Sequence, residues 1–428
     1  MMNLFIVKNV TIMDIKNIIK VSLVVPVMVV STVKLQAQDE KNNQMGKNHV
    51  VQNSTKNAVL DFNELIEAKK KTTSNSYKPL YQKIIKEADA ALLNGTYSVM
   101  QKTQMPASGD KHDYYSIGPY WWPDPAKSDG LPWIRKDGKV NPLTREGSTD
   151  FETKQKMFNS TESLALAYFF SNKKQYADKV LELIQVWFVN EDTKMNPNLN
   201  FAQGVPGENA GRGIGIIEFA DVTKVLIAIE ILELNQQMDA NTSQALRKWF
   251  TDYAYWLQTS ENGVFEKNTK NNHGTHYDQQ LISILLFLNR TDEAKQLLEL
   301  VKTERIAKQI QPNGAQPHEL ARTKALSYST MNLRGFTELA VLGKKLGVDL
   351  WNYKAENGAG IINAFEFLKP YAKGEKKWDY QQIADTDKVL KSLKELFAFA
   401  GSEFNNEDYC RIGSNKNDSP NSLFYQCN

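Results

Sequence analysis

Cysteine is nearly absent: Cys410 and Cys427 are the only two in 428 residues. Neither lies near the N-terminus, which excludes a cysteine-anchored lipoprotein, and their place in the C-terminal tail argues against a cysteine nucleophile. Long hydrophobic runs are also missing. The most apolar stretch, residues 21–33, is broken by Pro26 and is too short to span a bilayer. No Gly-x-Ser-x-Gly elbow is present. The glycine-rich run 207–213 lacks the preceding strand and the Lys-Ser/Thr ending of nucleotide loops, so Arg212 within it reads as a substrate contact instead. Charge excess is lacking too, at a formal +3 for the whole chain.

What is present begins with an export signal. Lys16 and Lys20 precede the apolar run, and Gln36-Ala37-Gln38 follows it, matching a secretory signal peptide over residues 1–38, with Met13 a better start than Met1. This places the mature protein in the periplasm or outside the cell. Removing Lys8, Lys16, Lys20, Lys34 and Asp14 brings the formal charge to zero, so nucleic acid is not an expected partner. An acidic ligand would have to be held by a local cluster of Arg and Lys in a cleft. Residues 39–58 read as a flexible leader, residues 59–402 as the folded domain, and residues 403–428 as a tail. In an oxidising compartment Cys410 and Cys427 would close a short loop there, worth about 3 kcal/mol; two free thiols are the alternative.

Apolar residues recur at helical spacing over residues 77–93, and then in pairs over 158–170 with 175–189, 214–234 with 243–257, and 276–289 with 292–308. Residues 325–346, 360–369 and 385–400 continue the series, and no stretch shows sustained strand-type alternation. Such hairpins predict an all-α chain, either a solenoid or an incomplete (α/α) toroid of six to seven hairpins. The toroid is favoured because the loops 105–150, 195–213, 263–275 and 311–324 hold most of the Gly, Pro and His, as expected if they gather at one mouth.

Two of those loops carry chemistry. Asn271-Asn272-His273-Gly274-Thr275-His276 and the stretch from Gln316 through His318, Glu319 and Arg322 to Tyr328 together offer amides, imidazoles, a guanidinium and a phenol. Such a set can neutralise a carboxylate and move protons. Three readings compete at the first segment: zinc held by His273 and His276 with His318 or Glu319, structural loop histidines, or direct acid/base work. Gly274 and the asparagines read as a loop, not as a ligand-bearing helix. Arg322 and Tyr328, six apart, fall on different faces of one helix, so a helix beginning near Thr323 is expected with Arg322 on its leading loop. Otherwise Arg322 pairs with Glu319. In the 105–150 loop, Tyr120, Trp121 and Trp122 could stack on sugar rings or simply pack the loop. A glycoside hydrolase would need a carboxylate pair, for which Glu162, Glu208 and Glu218 are candidates.

The Pro-Tyr-Trp-Trp-Pro of residues 119–123, then Asn271-Asn272-His273, then His318-Glu319-Leu320-Ala321-Arg322 with Tyr328, resemble in order the motifs of the alginate lyase family and related α/α-toroid polysaccharide lyases. The resemblance implies metal-independent β-elimination on a polyuronate, most of all mannuronate-rich alginate, giving C4=C5 unsaturated products. It implies Asn272, His273, Arg322 and Tyr328 as catalytic residues and no cofactor. Tyr120, Trp121, Trp122, Arg212, His276 and His318 are expected to bind substrate, an acidic polysaccharide, without a membrane anchor. The rivals are a glycoside hydrolase acting on uronate oligosaccharides and a non-catalytic glycan-binding protein.

Overall fold

The helical periodicity takes physical form in a computed structural model, which describes residues 59, 61–74, 77–413 and 427. The expected signal peptide and leader lie outside the described residues. In chain order the elements are α1 (Phe62–Lys71), α2 (Lys78–Leu92), β1 (Tyr115–Ile117), β2 (Trp121–Trp122), β3 (Ile134–Arg135), α3 (Phe151–Ser171), α4 (Lys174–Ile184), β4 (Phe201–Gly204), α5 (Thr223–Leu234), α6 (Ala240–Thr259) and α7 (Glu261–Lys267). They continue with α8 (Asn272–Phe287), α9 (Thr291–Val301), α10 (Pro317–Leu320), α11 (Ala325–Leu346), α12 (Ile361–Lys373), α13 (Thr386–Glu403) and α14 (Glu407–Gly413).

These helices form an α/α toroid. Helices α3, α5, α8 and α11 pack one against the next, while α4 packs on α3 and α5, α9 on α8 and α11, and α12 on α11 and α13. Burial separates the two layers. Every residue of α8 except His273 is buried, from Asn272 to Phe287, whereas α9 buries only Ala294, Leu298 and Val301 along one stripe. A helix enclosed all round tolerates polar residues only if they are satisfied. Accordingly Tyr253 donates to Gln280 on α8 at 2.6 Å, and buried Arg305 clasps Asp278 through two bonds of 2.7 and 3.1 Å.

Three local expectations need correction. Residues 214–234 are not one helix: a 3-10 segment, Gly213–Phe219, precedes α5. Residues 263–275 are not a loop, since they include most of α7 and the start of α8, whose N-cap is Asn271. The 105–150 segment also contains short strands, with β2 antiparallel to β3 and β1 parallel to β4. Near the C-terminus α14 packs on α13, its Tyr409 buried against Phe365 and Phe397, and Cys410 is disulfide-bonded to Cys427.

Candidate active site

The site is built at the N-terminus of α8. The Asn271 side chain accepts from the His273 backbone N–H at 3.2 Å and caps the helix. Glu319 of α10 accepts from the Asn272 backbone N–H at 2.6 Å and from its Nδ2 at 2.8 Å. A carboxylate at a helix N-terminus is electrostatically favoured, and here it also fixes which way the Asn272 amide points. Burial pushes the Glu319 carboxyl up, and the Asn272 bonds pull it back. His273 Nδ1 lies 2.7 Å from Oε1 of the wholly buried Glu266 in α7. A carboxylate cannot donate, so Nδ1 carries the proton and Nε2 is left as the basic nitrogen.

The second half of the site lies at the start of α11. Arg322 sits on the connection between α10 and α11, and Tyr328 in the first turn of α11. The break between them lets residues six apart meet: Arg322 Nη2 donates to the Tyr328 hydroxyl at 2.9 Å, and its Cζ stands 3.9 Å from the ring centroid. The Tyr120 hydroxyl shares a 2.7 Å hydrogen bond with that of Tyr328. Arg322 does not pair with Glu319, as one sequence reading allowed. It binds Asp137 through Nη2 at 2.8 Å and Nε at 3.3 Å. Burial first, then the neighbouring Tyr120, push the Tyr328 phenol well above its ordinary value, while Arg322 pulls it down. At neutral pH Tyr328 therefore carries its proton.

Both halves open on one cleft of about 570 Å³. Its lining holds Arg135, Arg212, Lys270 and Arg322 beside His273, His318, Asn272, Tyr120, Trp121 and Tyr328, and among the described residues includes no Asp or Glu. The carboxylates stand one layer behind. Arg212 is anchored by Nε donating to the Gln203 carbonyl at 2.7 Å and faces the Trp121 ring at 5.4 Å.

Two expected substrate contacts are not on this lining. Trp122 turns away, its indole N–H donating to the Lys139 carbonyl at 3.0 Å and its ring facing the Lys136 ammonium. The alternation of a strand sends neighbouring tryptophans to opposite faces. His276 lies one turn into α8 and is buried, held down to about 4 by burial first and then by the charge of His273. It is a neutral core histidine at working pH.

The rival chemistries fare poorly here. Among the described residues no group of three His, Cys, Asp or Glu side chains is placed to hold a metal ion. The glycosidase candidates are elsewhere: Glu218 is buried, accepting from Tyr114 and Ser116 at 2.8 and 2.7 Å, Glu162 pairs with Lys224 at 3.3 Å, and Glu208 is not on the cleft lining.

Comparison with known proteins agrees with the geometry. Residues 98–378 match the alginate lyase family. The chain belongs to the alginate lyase family. An alginate lyase from Bacteroides ovatus is 36% identical, with a TM-score of 0.82 over 86% of this chain and 98% of that one. Alginate lyase A1-III from Sphingomonas species A1 shares the fold at 17% identity and a TM-score of 0.57, over 87% and 96% of the two chains. A variant of A1-III complexed with a tetrasaccharide gives 17% identity and 0.58 over the same shares. No curated protein matches the sequence. As an alginate lyase family member the chain is a polysaccharide lyase. No local cue in the sequence points to Asp137, Glu266, Arg135 or Lys270 of this family member. Asp137 lies 185 residues from Arg322, beyond the reach of any spacing argument.

Proposed function

We propose that this lyase cleaves mannuronate-rich alginate by β-elimination without a metal ion. The observation that carries the reading is the cleft lining: four basic side chains and an arginine-bound phenol, with no carboxylate among them. Glycoside hydrolysis requires a pair of carboxylates flanking the bond, whereas elimination on a uronate requires cationic and N–H groups around the sugar acid and one proton-transfer group.

In the reaction, a base takes the C5 proton, the electron pair forms the C4=C5 double bond, and the C4–O4 bond breaks as O4 receives a proton. Asn272 and the surrounding cations lower the cost of charge building on the uronate. In mannuronate the C5 proton and O4 lie on the same side of the ring, so Tyr328 can serve both. The hydrogen bond from Arg322 would support the phenolate that takes the C5 proton, and the phenol so formed hands that proton on to O4, which regenerates the phenolate. Guluronate places the two on opposite sides and needs a second base, for which the Glu266-oriented His273 is suited.

The test is incubation with alginate, glucuronan, polygalacturonate and glycosaminoglycans while following ultraviolet absorbance of the C4=C5 bond. Growth on none of them sinks the lyase chemistry. Activity in chelator should equal activity without it; a loss restored by one particular metal overturns metal independence. We propose in addition export to the periplasm or beyond, resting on the charged and apolar pattern of residues 1–38. A mature N-terminus found anywhere but near Asp39 would refute that cleavage.

A further inference from the structure

Asp137 follows β3 in the irregular segment and reaches across to the start of α11. Its carboxylate receives Arg322 Nη2 at 2.8 Å and Nε at 3.3 Å, the Thr323 hydroxyl at 2.9 Å, and Arg135 Nη2 at 2.6 Å. The approach is close. Gly138, at φ +72°, lies so near Thr323 that a Cβ there would fall 2.4 Å from Thr323 Oγ1, so only glycine lets the backbone bring Asp137 in. Thr323 is in turn fixed from its far side, where its carbonyl accepts from the Ile383 N–H at 3.1 Å.

We propose that Asp137 is a positioning residue of the elimination, holding the Arg322 guanidinium against Tyr328 and offsetting its charge there. Resting on the lyase reading, this assigns Arg322 to the tyrosine more than to the substrate. The Nε–Nη2 edge of a guanidinium is the fork that binds a carboxylate side-on, and Asp137 fills it. A uronate entering the cleft therefore meets Arg135, Arg212, Lys270, Asn272 and His273, while Arg322 remains stacked on the Tyr328 ring. The charged and titratable groups acting on the phenol are Tyr120, Arg322 and Asp137, with Arg322 favouring the phenolate and the other two opposing it. Burial disfavours the Asp137 carboxylate, yet the bonds from Arg322 and Thr323 hold it down at about 2. It stays charged across any working pH.

The sign of the consequence is fixed. Removing the Asp137 charge leaves Arg322 uncompensated, so the phenol ionises at lower pH. If Tyr328 acts deprotonated, the rising limb of the pH profile moves down; if it acts protonated, the falling limb does. Asp137→Asn, which keeps the shape, should move the Tyr328-linked limb of kcat/KM on mannuronate-rich alginate down by roughly half a unit or more. Asp137→Glu should return it toward wild type. Should Asp137→Asn be too slow to profile, its tyrosinate ultraviolet titration, minus that of the Asp137→Asn/Tyr328→Phe protein, isolates the one phenol and should show the same displacement. A limb and titration superimposable on wild type overturn the proposal. So does a uniform loss of rate with no displaced limb, which would make Asp137 mere scaffolding. A wild-type enzyme inactive on every polyuronate would instead sink the proposed function, while the phenol titration would still decide the role of Asp137.

Discussion

Tyr328 carries the most specific claim at the scale of single residues. Tyr328→Phe keeps the ring under Arg322 and removes only the oxygen that Arg322 and Tyr120 contact. Turnover should fall by two orders of magnitude or more, with oligosaccharide affinity within a few-fold of wild type. Retention of above about a tenth of the activity would count against it. His273→Ala should depress cleavage of guluronate blocks more than that of mannuronate blocks, because only the former needs a base across the ring from the tyrosine. Equal losses on both block types would reduce His273 to carboxylate neutralisation. Asn272, His273, Arg322 and Tyr328 could be picked from the sequence because each sits in a short polar motif. Their supports could not. Glu266 and Asp137 read as further acids within the expected loops 263–275 and 105–150, until the fold brings each to its partner.

Among the elements, the helices were legible and the long irregular segment was not. Apolar spacing marks α11 and α13 within a few residues, since each buries a stripe. The start of α8 was hidden because Asn272, His273 and Gly274 are poor helix formers, and the Asn271 cap with Glu319 outweighs that preference. The strands gave no signal because β1 is three residues long and pairs with β4, far away in sequence. What fastens the base of this segment is a buried ion pair: Lys102 Nζ meets Asp150 Oδ2 at 3.0 Å and donates to the Val99 and Lys111 carbonyls at 2.7 and 2.6 Å. Burial pushes Asp150 up to about 7 and Lys102 down, although the pair and the Tyr115 N–H, donating at 2.8 Å, favour the charged carboxylate. Lys102→Met should cost about 3–5 kcal/mol in urea unfolding, the usual penalty for stranding a buried charge. A raised carboxyl pKa makes the folded state the better proton binder, so that cost should shrink as pH falls from 8 toward 4. A cost below about 1 kcal/mol, or one unchanged with pH, would show that the pair is not what fastens the segment.

For the molecule as a whole, hairpin succession and loop chemistry were enough to foresee the toroid, since local helical contacts dominate it. The way its active site is divided was not foreseeable. Asn272 and His273 stand on a helix buried on every side, while Tyr120 and Asp137 ride on a segment with few regular hydrogen bonds. Opening free energies scale with such burial, so the candidate active site is assembled from two parts of unequal durability. Amide hydrogen exchange should be slowest along α8, at the global limit, and much faster through residues 119–138. Mild urea should therefore silence the enzyme while helical circular dichroism stays intact, because the phenol loses its company before the helix that bears the imidazole begins to fray. Coincident loss of activity and helicity would show that both parts unfold as one.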